Sequence, residues 1–243
     1  MKQETKTLGV IGGLGPMATA HFMELIIGMT EASCDQEHLN MIVYNTPSIP
    51  DRTQYILDHT KPSPLPEMVA VGKRLAEQGV SCLAIPCITA HYFHRELTEA
   101  IPVPILHMVE ETVAHLKEHG VQAAGIMATD GTLTAGLFQK ELERCGIRPV
   151  VPSEDGRRHV MSVIFDNIKA NLPADMERFC AAEQELRAAG AEAVILGCTE
   201  LSLIKKTGLL GGGFIDAMEV LAQKSVLACG GNVKAEYRHL ITE

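Results

Sequence analysis

Two cysteines have surroundings that suit chemistry. Cys87 closes the apolar run CLAIPC (82–87) and Cys198 closes AEAVILGC (191–198). Each is followed within two residues by a threonine, in Cys87-Ile88-Thr89 and Cys198-Thr199-Glu200. A thiol where a strand runs into a helix meets unpaired backbone N–H groups and the positive end of the helix dipole. That setting lowers its pKa from about 8.5 and favours the reactive thiolate. One such cysteine alone is more often a small buried packing residue. Here there are two at matching places. CLAIPCITAH (82–91) aligns with AVILGCTELS (193–202), and Gly9-Val10-Ile11 aligns with Gly125-Ile126-Met127, which sets Gly15 opposite Gly131.

A thiol on each side of one ligand carbon suits inversion at a weakly acidic C–H. One sulfur removes the proton as thiolate, the other returns a proton to the opposite face as thiol, and the roles swap between enantiomers. Two facing thiolates would repel, which favours the mixed protonation state.

Ligand-holding groups stand nearby in the pattern. Arg52, in Pro50-Asp51-Arg52-Thr53, is of the type that grips a carboxylate through two parallel N–H bonds. Thr89, Thr132 and Thr199 follow strand ends at matching levels, and Gly15 and Gly131 allow close backbone approach. These are expected to hold the α-carboxylate and ammonium of a small ligand, a role compatible with helix capping by each threonine. Glu200, beside Cys198, either positions the ammonium or begins a helix, and ranks low. Cys87 and His91 are four apart, as metal ligands sometimes are, but no third ligand is apparent. No metal is expected, and His94, His107 and Asp216 carry no signal above structural use.

Short apolar runs without alternation must position these groups: 7–13, 39–47, 82–87, 123–129, 147–152 and 191–198. Amphipathic stretches separate them, with helices expected from about Met17, over 67–79, from about Thr89, over 109–120 and 133–146, and around 155–170 and 174–189. Strands of that kind between helices form parallel sheets covered on both faces. The expected fold is α/β, in two similar Rossmann-like lobes related by a pseudo-twofold, with the site in the cleft between them. Ligands of open parallel sheets bind beyond the carboxyl ends of the strands. IPVPIL (101–106) is the natural first crossover, and the glycine-rich KKTGLLGGGF (205–214) carries the chain back. This gives a first lobe of 1–102 plus 207–243 and a second of 103–206.

Composition narrows the partners. The chain has 243 residues and a net charge of −9, with no cluster of basic residues, so nucleic-acid binding is not expected. No apolar run approaches the roughly 20 residues of a membrane span, and MKQETKTLGV lacks the apolar stretch of a signal peptide. A cytoplasmic location is expected. The seven cysteines are odd in number, irregularly spaced and without a CxxC pair, which argues for a reducing compartment and against a structural zinc ribbon. GVIGGLGP has neither the lysine of a phosphate loop nor a complete G-x-G-x-x-G, and Pro16 fits the first position of a helix.

GVIGGLGPMAT (9–19), SIPDRT (48–53), PCITAH (86–91), GIMATDGTL (125–133) and GCTEL (197–201) occur in an order that resembles the aspartate/glutamate racemase family, its aspartate racemase branch in particular. The resemblance spans Gly9 to about Asp216. It implies a racemase that needs neither pyridoxal phosphate nor metal, with no cofactor, usually dimeric, and with catalytic cysteines at Cys87 and Cys198. It also implies that Arg52 binds the side-chain carboxylate of an acidic substrate and that Lys169 assists substrate binding or cysteine activation. One position departs from the pattern: the family's PCNTAH has Asn where this chain has Ile88, and an aliphatic side chain cannot make the amide's hydrogen bonds to substrate. Maleate isomerase or hydantoin racemase chemistry, or non-catalytic dicarboxylate binding, are the alternatives.

Overall fold

Parallel strands form where apolar residues run without alternation: β1 (Thr7–Gly12), β2 (Asn40–Asn45), β3 (Cys82–Ala84), β4 (Ala123–Ala128), β5 (Arg148–Val150), β6 (Ala193–Gly197) and β7 (Phe214–Asp216). The helices between them are α1 (Pro16–Met29), α2 (Arg52–Leu57), α3 (Leu65–Glu77), α4 (His94–Ala100), α5 (Met108–Glu118), α6 (Asp130–Ala135), α7 (Leu137–Arg144), α8 (Glu154–Ser162), α9 (Met176–Ala188), α10 (Ser202–Lys205) and α11 (Ala217–Ala228). The computed structural model describes residues 6–208 and 210–243. The first five residues of the stretch read for a signal peptide, and Leu209 of the glycine-rich segment, lie outside the described residues.

The strands make two all-parallel sheets in the orders β2-β1-β3 and β5-β4-β6-β7. A parallel bridge from Leu83 to Ile105 extends the first sheet at the place β7 holds in the second. The sheets therefore repeat one another strand for strand, with β1 matching β4 and β3 matching β6. Strands β4 and β6 are buried along their whole length, as sheets covered on both faces require. One core cluster joins the lobes, including Val10 of β1, Ile126 of β4, Ile195 of β6 and Leu221 of α11.

Both lobe boundaries fall later than the sequence suggests. Ile105 still bridges the first sheet, and β7 still hydrogen-bonds to β6 in the second. Each sheet takes up its last short strand before a helix crosses over: α5 leaves the first lobe and packs on α7, and α11 returns to pack on α1. Two other expectations are corrected. The helix expected over 133–146 is broken into α6 and α7 by Gly136, which sits at φ 68°, a conformation glycine adopts without strain. The segment after Cys87 is a 3₁₀ turn over Ile88–Phe93 that leads into α4.

Candidate active site

The chain leaves equivalent strands at its two cysteines: Cys198 directly follows β6 and Cys87 lies three residues beyond β3. Both cysteines line one narrow cavity together with Arg52, Thr89, Thr132, Lys169 and Thr199. Both residues are buried, at 5% and 8% exposure. Leu14, Asp51, Thr53, Ile88, Thr129, Phe165, Gly197 and Glu200 complete the wall.

Cys198 is held as a thiol. Its Sγ donates to Glu200 Oε2 at 2.9 Å, and the other oxygen of Glu200 takes the Lys169 ammonium. Burial, then the negative charge of Glu200, push the thiol well above its ordinary range, against the opposing pull of Lys169. The lowering expected for a cysteine at a helix start is therefore not found here. Helix α10 does not begin until Ser202, and the one backbone N–H that favours the thiolate, from Glu200, is outweighed. Glu200 is the group that sequence reasoning ranked too low.

Cys87 caps the 3₁₀ turn, and its Sγ lies 3.3 Å from Thr89 Oγ1. Arg52 backs it. The guanidinium is buried, and its terminal nitrogens donate to Leu14 O at 2.8 Å and Pro50 O at 3.0 Å. Its Nε–H is buried without a partner. Burial acts to lower the Arg52 pKa, but negative charge at Cys87, then at Asp51 and Glu200, outweighs it and leaves the pKa raised. Main-chain carbonyls, with Ile49 O at 3.4 Å as a third, thus fix the fork in place against the cavity.

Lys169 reaches the cavity because the last turn before it, Val163–Ile168, is π-helical. The wider turn re-aims the chain, as π-bulges at functional sites do. Burial works to lower the Lys169 pKa, and Glu200, then both cysteines, raise it further than burial lowers it, so the group stays an ammonium.

A line of hydroxyls spans the lobes. Thr53 Oγ1 on α2 donates to Thr129 Oγ1 at 3.3 Å, and Thr129 caps α6 by accepting from Thr132 N. Thr53 and Thr129 were missed in the sequence; the signals for them were adjacency to Arg52 and the end of β4. The two glycines act differently from expectation, because neither lines the thiol cavity. Gly15 borders a larger, more open cavity that shares Leu14, Asp51, Arg52, Lys169 and Glu200 with the inner one. A Cβ at Gly15 would sit 2.7 Å from Glu200 Oε1, so the residue clears space for that carboxylate. A Cβ at Gly131 would lie 2.9 Å from Thr53 Cα, where α2 packs on α6. Gly131→Ala should therefore force the lobes apart and destabilise the fold by about 1–3 kcal/mol, measurable as a lower urea midpoint.

Ile88 is 2% exposed and serves both as cavity wall and as core. His91 does not line the thiol cavity and groups instead with His94 and His107. No helix among the described residues is long and apolar enough to cross a membrane.

A two-lobe α/β protein with parallel sheets and one thiol from each lobe on a shared cavity is the class these features define. The chain belongs to the Asp/Glu/hydantoin racemase family, whose model matches residues 11–224. It is 30% identical to the aspartate racemase of Picrophilus torridus, with a TM-score of 0.84 over 97% of this chain and 99% of the other. It is 26% identical to the broad specificity amino-acid racemase RacX of Bacillus subtilis, over 90% of this chain and 96% of that protein. Glutamate racemase from Francisella tularensis shares the fold at a TM-score of 0.65 and 16% identity, over 90% and 79% of the two chains.

Proposed function

We propose that this chain is a cofactor-independent racemase that interconverts L- and D-aspartate, or a similar acidic amino acid, by proton transfer between Cys87 and Cys198. The observation that carries this is the convergence of both sulfurs with Arg52 and Lys169 on one small cavity. Cys87, as thiolate, takes the α-hydrogen with its bond electrons left on carbon. Cys198 gives its S–H proton to the other face, which leaves a Cys87 thiol and a Cys198 thiolate ready for the opposite enantiomer. Arg52 and Lys169 offer positive charge to the ligand's carboxylates, and the hydroxyls of Thr89, Thr132 and Thr199 hold its polar groups. The identity to an aspartate racemase supports the acidic substrate. Ile88 favours a wider set, since it cannot read the amino group as an amide would, and the relative named for broad specificity supports that. The same proposal takes the protein to be a homodimer, as the resemblance implies, and a cytoplasmic protein that binds neither nucleic acid nor membrane, which its net charge of −9 and the lack of basic clusters and long apolar runs in the sequence support.

Incubation with L-aspartate in heavy water, without pyridoxal phosphate or added metal, should yield D-aspartate deuterated at the α-carbon. Arg52→Ala should raise KM for aspartate roughly 10- to 100-fold, the weight of about 1.5–3 kcal/mol for a hydrogen bond to a charged group, and affect alanine much less. A wild-type protein that exchanges no α-proton from any amino acid, yet binds dicarboxylates tightly, would instead be a binding protein.

A further inference from the structure

Three histidines meet outside the thiol cavity. His91 lies in the 3₁₀ turn that Cys87 caps, His94 begins α4, and His107 caps α5. One ligand nitrogen from each lies within 4.8 Å of the other two, and the ring centroids are 4.1, 5.2 and 5.9 Å apart. His91 and His107 also line a separate cavity with Glu110 and Glu141.

Their hydrogen bonds fix where the lone pairs are. A backbone carbonyl only accepts, so Ile85 O, 3.2 Å from His91 Nε2, holds the ring proton there. Ile105 O does the same for His94 Nε2 at 3.3 Å. His107 accepts from Glu110 N–H at Nδ1, at 3.3 Å. All three rings therefore carry their lone pair on Nδ1. His91 is 4% exposed, and its Nδ1 is buried with no hydrogen-bond partner. An imidazole that donates one N–H to a carbonyl and leaves the other nitrogen bare is the arrangement of a metal-ligating histidine.

We infer that His91, His94 and His107 form a binding site for a divalent transition metal ion of the zinc type, distinct from the two thiols. Three imidazoles suit zinc, cobalt or nickel and not the oxygen-seeking magnesium or calcium. Glu110 Oε1 lies 3.8 Å from His107 Nε2, the nitrogen that keeps its proton, and stands there as an outer partner. His107 joins the metal by giving up its long cap contact to Glu110. The bound ion ties the turn that bears Cys87 to the start of α5, the helix that crosses onto the second lobe. A second trio, His115, His119 and His239, also lies close together. There His115 accepts Leu240 N–H at Nε2, and no ring nitrogen of that trio is buried without a partner as His91 Nδ1 is, which leaves the first trio as the better ligand set.

The test uses a Cys87→Ser/Cys198→Ser variant, so that the cavity thiols cannot take the metal. Titrated with Co2+ and then Zn2+, it should bind one equivalent, with the visible bands of nitrogen-ligated Co2+ and no strong thiolate charge-transfer band in the near ultraviolet. Loss of even an outer partner costs a metal site about 10- to 100-fold, so adding His94→Ala or His107→Ala should weaken binding at least tenfold. His239→Ala should change nothing. Absence of binding at millimolar metal, undiminished binding in folded His94→Ala, a thiolate band, or loss of binding with His239→Ala would each overturn the site. His94→Ala decides the matter if loss of the α5 cap unfolds His107→Ala.

Discussion

Cys198→Ala should stop interconversion of the aspartate enantiomers and still leave α-proton exchange with heavy water for one of them. With the donor on one face removed, Cys87 can still take a proton from the face it sees, and it can only return a deuteron to that same face. Cys87→Ala should do the reverse and exchange the other enantiomer. Racemisation should fall by about 10²–10⁴-fold in each, the usual weight of a positioned acid or base. The two variants should not be equal in exchange. In Cys87→Ala the remaining base is Cys198, whose thiol is pushed up by burial and Glu200, so its exchange should be the slower and should quicken as pH rises. Alanine at either buried position removes a single sulfur, and circular dichroism checks that the fold survives. Racemisation within tenfold of wild type in either variant, or exchange of the same enantiomer by both, would rule out transfer between these two sulfurs.

The parts of this molecule legible in its sequence are those written in local pattern. Unalternated apolar runs gave away the strands, Pro16 the start of α1, and the half-repeat the pairing of Cys87 with Cys198. The lobe boundaries were hidden because the strands that complete each sheet are minimal. One is a single bridge at Ile105 and the other is the three residues of β7, too short for periodicity to register. The partners of the site were hidden for a different reason. Glu200 acquires its importance from Lys169, 31 residues away and turned inward by a π-helical turn. Thr53 meets Thr129 across 76 residues, and Gly131 is required by that same contact. His91 and His94 are near in sequence, whereas His107 joins them only after the crossover through Ile105. Contacts made by packing segments far apart in the chain leave no spacing to read.

Glu200→Gln should make Cys198 more reactive at lower pH. A negative charge beside a thiol disfavours the thiolate, so removing it moves the Cys198 pKa down. The freed Lys169 ammonium, no longer neutralised by its carboxylate, pulls in the same direction. Iodoacetamide labelling of Cys198, measured in a Cys87→Ser background, should show its pH profile displaced to lower pH, with a severalfold faster rate near pH 8. Lys169→Met removes a charge that stabilises the thiolate and should displace the same profile to higher pH, so the two variants move it in opposite senses. Combined with Cys87→Ala, Glu200→Gln should also speed the α-proton exchange that depends on Cys198 as base. In the complete enzyme the same change weakens Cys198 as the group that rests with a proton, which should lower racemisation at neutral pH even though the sulfur has become more nucleophilic. A profile left in place by Glu200→Gln, or moved upward, would mean that the carboxylate 2.9 Å from the sulfur does not hold the proton there.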